Sequence, residues 1–156
     1  MLSQAEMLQI VSRTIRESFV GVMTTVDADQ APHSRCMGAA LEEQGIRRLY
    51  TLTGRHTVKL ENIARNPAVS WLFSAEGYER VVTLKGTAEV LDAPVIAQKA
   101  WDRLAQAARA YSMNALSDED NLDFVVIETR VTHADLLYPE KGLVKPETVE
   151  LPTEHA

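Results

Sequence analysis

Apolar residues over the first part of the chain recur at helical spacing, and from Phe19 onward the pattern switches to short, β-branched runs. Ser3 and Glu6 form a Ser-x-x-Glu capping box. Leu8, Val11, Ile15 and Phe19 follow at intervals of three and four, which predicts a helix that turns these residues inward and ends near Ser18. "FVGVMTTV", "HSRCMGAAL" and "IRRLYTLT" then read as three strands, separated by the turns "DADQAP" and "EEQG". Thr57 to Arg65 returns to a helical pattern, with Val58 and Ile63 expected inward and Asn66-Pro67 as its stop. "AVSWLFS" is a compact strand in which Trp71 and Phe73 share a face, suited to core or subunit interface. After the turn "AEGY", "ERVVTLKGTAEVLD" is a long strand with a bulge or bend expected at Gly86. Asp92 is placed to cap a third helix with Pro94 in its first turn. That helix is expected to reach about Ala110, with Val95, Ala100 or Trp101, Leu104 and Ala108 inward. "SMNALSDEDN" reads as a loop and "LDFVVIETRVTHADLLY" as a last long strand. The tail from about 139 to 156, with three prolines, reads as extended or partly disordered.

Strands joined by such short turns pair antiparallel, because a parallel pair needs a crossover of a dozen or more residues. The expected fold is therefore mainly β (α+β): a six-stranded antiparallel split β-barrel with peripheral helices, in a single domain over 1–156. Composition narrows the use of this fold. A formal net charge of −6 argues against a general nucleic-acid binder. No apolar run approaches the roughly 18 residues of a membrane span. The single cysteine, Cys36, suits a reducing cytoplasm and is expected as a small core thiol. The seven glycines are too dispersed for a dinucleotide fingerprint or a Walker loop, and the four histidines show no metal-ligand spacing.

One stretch does carry chemistry. "TGRHTVK" sets Arg55, His56, Thr57 and Lys59 at the mouth of the second helix. First-turn amides have no partner within their helix, and the helix dipole favours an anion there. A hydroxyl and a lysine at that spot would suit one phosphate monoester. The alternative is a solvated cap, in which Thr57 satisfies the helix and the charges only keep the surface soluble. Arg35, inside the second strand, also needs a partner. In strict alternation it shares a face with His33 and Met37, while Ser34 and Cys36 share the other.

The pieces "VMTTVDADQAPHSRCM", "LYTLTGRHTVKLENIARNPAVSWLF" and "ERVVTLKGTAEVLD" resemble, in order and spacing, the FMN-binding split-barrel proteins of the pyridoxamine 5′-phosphate oxidase superfamily, and among them the general stress proteins. The resemblance implies a homodimer with FMN in a groove between subunits and a small-molecule substrate or electron donor that it does not identify; the charge, hydropathy and single cysteine add the expectation of a cytoplasmic protein with no nucleic-acid or membrane partner. It places Arg35, Cys36, Met37, Leu52, Thr53, His56, Thr57 and Lys59 at the cofactor. Arg35 falls where the family contacts the phosphate or ribityl chain, and Leu52 and Thr53 where it has a tyrosine-threonine pair beside the ring. Thr57 and Lys59 match the outer residues of a Ser-Arg-Lys phosphate motif. Val58 replaces its arginine, a loss that Arg55 or His56 would offset, and Val81 replaces a glutamine. The tail lacks the arginine-x-histidine pair that grips the substrate in the true oxidases. The implied activity is thus a flavin-dependent oxidoreductase other than a pyridoxamine 5′-phosphate oxidase. The alternatives are a flavin-holding or redox-sensing module without turnover, or a relative that binds deazaflavin or haem.

Overall fold

The computed structural model describes residues 1–104 and 124–153. Helix α1 (Gln4–Ser18) starts at the expected capping box: Ser3 Oγ accepts from the Glu6 amide and the Glu6 carboxylate accepts from the Ser3 amide. Its inward stripe is Met7, Val11, Thr14 and Ile15. This stripe begins at Met7 rather than Leu8, and Phe19 lies outside it, 40% exposed at φ 58° as the chain leaves the helix.

Strands β1 (Val20–Val26) and β2 (Pro32–Gly38) form a hairpin in which Met23 faces Arg35. The run expected as one second strand divides at Ala39. The Ala39 amide bonds the Phe19 carbonyl and closes that hairpin, after which β3 (Ala40–Leu41) pairs with β4 (Arg48–Gly54) instead. One continuous segment thus crosses from one side of the sheet to the other. Helix α2 (Val58–Arg65) leads to β5 (Ala68–Ser74), a 3₁₀ turn over Glu76–Tyr78, and β6 (Val81–Leu91). Helix α3 (Pro94–Arg103) follows, and then β7 (Phe124–Tyr138). The tail, expected as extended or partly disordered, contributes a strand over Leu143–Val149. After a 3₁₀ turn at Pro139–Lys141 and a left-handed Gly142, β8 (Leu143–Val149) folds back onto β7, anchored by buried Leu143 and Val149. Pro146 is tolerated because β8 pairs on one side only.

The strands form one antiparallel sheet in the order β2-β1-β5-β6-β7-β4-β3, with β8 beside the second half of β7. It curls into a half-barrel, the split barrel expected, with eight strands among the described residues rather than six because of the break at Ala39 and the added β8. Strand β7 organises it. Residues 126–137 lie along β6; the first half of β7 pairs with β4 and its second half with β8. The register slips between Lys85 and Gly86, as the mid-strand glycine predicts. There a Cβ would run into the Arg130 carbonyl, so only glycine lets the two backbones approach.

The sheet separates two cores. The inner one holds Val11, Ile15, Met23, Met37, Leu49, Ile63, Trp71, Phe73 and Ile127. Trp71 and Phe73 stack at 5.6 Å inside it, and the indole N–H donates to Thr129 Oγ1. They are core residues of one chain and leave nothing for a partner. The second core, between the sheet and α3, holds Leu52, Ala97, Ala100, Leu104, Phe124 and Val126. Two inward assignments are corrected. Val58 is 64% exposed and Val95 68%, since each lies in the first turn of its helix on the solvent side, whereas Ile63, Ala100 and Leu104 are buried as expected. Asp92 does not cap α3; its carboxylate pairs with Arg55 instead, and Ala93 occupies the cap position. The expected end of the third helix, Ala108 and the loop beyond it lie outside the described residues.

Candidate functional site

The site forms where β1, β2, the end of β4 and the first turn of α2 meet. Pleating sends Met23 and Thr25 of β1 to the inner face, and Arg35 and Met37 of β2 follow them. Arg35 reaches along its neighbour strand. Its Nη1 donates to Thr25 Oγ1 at 2.8 Å and to the Met23 carbonyl at 3.4 Å. From the opposite side Lys59 Nζ donates to Thr53 Oγ1 at 3.0 Å. Thr57 Oγ1 lies 3.5 Å from the same Thr53 oxygen. Beneath them Asn62, buried on α2, donates from Nδ2 to Thr25 Oγ1 at 3.2 Å.

Two cations therefore share a half-buried recess with neutral oxygens. Burial lowers the pKa of Arg35. Burial also lowers the pKa of Lys59, and the positive charge of Arg35 lowers it further. Among the described residues no carboxylate pairs with either one. Buried charges are ordinarily paired, so this arrangement favours an anion. Three partly buried arginines elsewhere show the contrast: Arg48 meets Glu128 at 3.0 Å, Arg80 meets Glu17 at 2.9 Å, and Arg103 meets Glu43 at 3.4 Å.

The N-terminus of α2 is open as well. Thr57 occupies the N-cap position without making a side-chain cap bond. That decides against Thr57 as a simple helix cap and leaves its hydroxyl facing Thr53, the residue that also accepts from Lys59. Arg35, Thr53, Thr57 and Lys59 are thus brought together as the sequence suggested. Met37 lies in the inner core on the same face as Arg35. Other expected residues stand apart. Cys36 is exposed on the outer face of β2, not a core thiol. Leu52 points into the α3 core, opposite Thr53. His56 is exposed, and Arg55 is committed to Asp92, so neither replaces the missing motif arginine. His33 is exposed and held by Asp27 at 2.7 Å. Its hydrogen bond is the largest cause of the lowered Asp27 pKa.

Sequence reasoning missed Thr25 and Asn62. A signal existed for each: Thr25 continues the inward alternation of Met23, and Asn62 lies one helical step from Lys59. The larger described grooves lie elsewhere. One of about 570 Å³ runs along Glu17, Ser18, Ser74 and Arg80, where the arginine is already held by Glu17 and lies against the Tyr138 ring. Among the described residues no cluster of three or more metal-ligating side chains occurs, and no helix is long and apolar enough to cross a membrane.

Residues 7–138 match the sequence family described as pyridoxamine 5′-phosphate oxidase. No curated protein matches the chain in sequence. Among solved structures, the general stress protein 26 of Bacillus anthracis str. Sterne is similar with a TM-score of 0.70 and 22% identity, covering 93% of this chain and 98% of that one. A Clostridium acetobutylicum protein related to general stress protein 26 of B. subtilis gives a TM-score of 0.72 at 16% identity, with coverage of 94% and 95%. An F420 reductase gives 0.60 at 22% identity, with coverage of 79% and 94%. At these identities the likeness is one of fold.

Proposed function

The chain belongs to the pyridoxamine 5′-phosphate oxidase family, and on that footing we propose that it binds FMN and acts as a flavin-dependent oxidoreductase on a small molecule. The observation that carries this reading is the recess in which Arg35 and Lys59 lie half-buried beside neutral hydroxyls and no carboxylate. These residues fit the phosphate of FMN. Arg35 uses Nη1 for Thr25 and Met23, which leaves the donors of Nε and Nη2 for a ligand. Lys59 uses one of three ammonium donors on Thr53. Thr57 adds a hydroxyl at a helix N-terminus, where an anion is favoured. Two or three charge-assisted contacts of about 1.5–3 kcal/mol each would supply much of the roughly 8 kcal/mol of micromolar binding.

When bound, FMN supplies the redox chemistry. The chain's residues hold its phosphate and so orient it. Cys36 and Leu52 turn their side chains to other faces, so the part proposed for them is through main chain. A second subunit is proposed to complete the groove. Val22, Cys36 and Leu72 form an uncharged cross-strand row on the outer face of β1, β2 and β5, with Leu72 38% exposed.

A second reading, a flavin-holding module without turnover, is favoured by one feature: among the described residues the recess presents two cations and hydroxyls, with no carboxylate or histidine beside them. Rapid-mixing measurement of flavin reduction and reoxidation separates the two. A deazaflavin carrying a polyglutamate tail fits less well. The basic residues it would use are engaged, Arg47 by the Pro152 carbonyl, Arg48 by Glu128 and Arg80 by Glu17. The absorbance spectrum of the protein purified from cells tests the cofactor. Flavin bands with FMN released on denaturation are expected; a haem Soret band, or deazaflavin as the released group, would overturn the reading.

A further inference from the structure

Two side chains that the phosphate reading does not use stand directly behind it. Thr25 is fully buried and Asn62 is 2% exposed. Thr25 Oγ1 accepts from Arg35 Nη1 at 2.8 Å and from Asn62 Nδ2 at 3.2 Å. A hydroxyl oxygen has two acceptor sites. Both are filled, one from β2 and one from α2, and Thr25 itself belongs to β1. A single oxygen thus ties together the strand that carries Arg35 and the helix that carries Lys59.

We propose that Thr25 and Asn62 are positioning residues that hold Arg35 at a fixed place opposite Lys59, and that this bracket sets the protein's preference for a phosphorylated flavin over the unphosphorylated one. The inference rests on the FMN reading above and adds how the site is kept ready.

The chemistry of the bracket is suited to that task. Two like charges facing one recess repel, and a mobile arginine would swing outward into water. A carboxylate could hold it, as Glu128 holds Arg48, but would also cancel the charge that an anion needs. Thr25, Asn62 and the Met23 carbonyl are neutral, so they fix the guanidinium and leave its charge available. Using Nη1 for the bracket orients the remaining edge of the fork, the edge suited to two oxygens of one phosphate. Site geometry present before binding removes ordering cost from the binding step. Asn62 contributes at a distance: three residues after Lys59 on α2, it anchors the turn from which the lysine projects.

The test compares FMN and riboflavin affinities by titration calorimetry for the full-length protein and its variants. The wild type should favour FMN by about 100-fold or more, the equivalent of two charged contacts. Thr25→Val keeps the shape and removes the acceptor; it should weaken FMN about 10-fold and change riboflavin less than about 2-fold. Thr25→Ser keeps the oxygen and should restore the wild-type ratio. If Thr25→Val leaves Asn62 stranded and fails to fold, the double variant Thr25→Val with Asn62→Leu removes both partners and is read in the same way. Equal weakening of both ligands, or an unchanged FMN affinity, overturns the bracket while leaving the phosphate site standing. A wild type that binds FMN and riboflavin alike overturns the phosphate reading itself, and the bracket with it.

Discussion

Replacing Lys59 by methionine should weaken FMN binding without weakening the fold, and the two effects have one cause. The ammonium is half-buried, donates to Thr53 at 3.0 Å, and shares its recess with Arg35 instead of a carboxylate. Burial and the neighbouring guanidinium both depress its pKa, so in the free protein the charged form is disfavoured where it stands. Methionine keeps most of the stem and removes the charge. The free protein therefore loses one modest hydrogen bond and is relieved of repulsion and desolvation, and its melting temperature should hold or rise. The liganded protein loses a charge-assisted contact of about 1.5–3 kcal/mol, which is roughly a 10- to 100-fold weaker FMN complex. Riboflavin, lacking the phosphate, should bind the variant as it binds the wild type. A pH series supplies an internal check. A lysine whose pKa is lowered by folding penalises the folded state at pH below that lowered pKa, and the penalty fades as pH rises through it towards the unfolded value. Phosphate binding favours the protonated form, so wild-type FMN binding should take up protons and weaken as pH climbs through a range below the ordinary lysine pKa. The variant should lose that alkaline limb. Calorimetry with both flavins, paired with thermal melts of the free proteins, reads all of this. Equal weakening of FMN and riboflavin, or a marked fall in the melting temperature of free Lys59→Met, would show that Lys59 serves the fold or the ring rather than the phosphate.

Gly86→Ala should destabilise the protein by about 1–3 kcal/mol, because the new Cβ meets the fixed Arg130 carbonyl at the β6–β7 bulge; denaturant unfolding that matches the wild type would mean the bulge yields easily. FMN-loaded protein should scatter light as a particle of twice 17.3 kDa, and Leu72→Glu, in the uncharged outer row, should shift it towards a single chain; a monomeric loaded wild type removes the shared-groove proposal. Pyridoxamine 5′-phosphate should not bleach the flavin under anaerobic conditions, because the tail supplies no arginine after Arg130 to place a second phosphate over the ring. Bleaching within seconds at micromolar substrate would assign the chain a substrate grip of another kind.

The alternation of short runs was enough to predict the antiparallel barrel, since a period of two with short turns leaves few pairings. Gly86 announced its bulge because nothing else explains a glycine in mid-strand. The break at Ala39 was hidden: "MGAAL" is uniformly strand-compatible, and only the hydrogen bond from Ala39 to Phe19 shows where the pairing changes. Strand β8 was hidden for the opposite reason, since Pro146 and the prolines and acids on either side of it look like a frayed tail until β7 supplies a partner. The site divides along the same line. Arg35, Thr57 and Lys59 could be read because they are charged or polar at positions where a strand face or helix mouth makes them stand out. Arg55 and His56 looked equivalent in sequence, but one was claimed by Asp92 and the other points to solvent, which depends on tertiary placement. Thr25 and Asn62 are ordinary residues whose role comes from meeting at one oxygen across 37 positions of chain.

The central claim, that this recess holds the phosphate of FMN as a dianion between Arg35 and Lys59, is tested most directly by phosphorus NMR of the FMN-loaded protein across pH. A phosphate monoester free in water takes up a proton near pH 6. Held between two cations, its pKa should fall, so the bound resonance should stay constant through that range and should begin to titrate there in Lys59→Met. A bound flavin whose phosphorus signal titrates as it does in free FMN would place the phosphate in water and contradict the account.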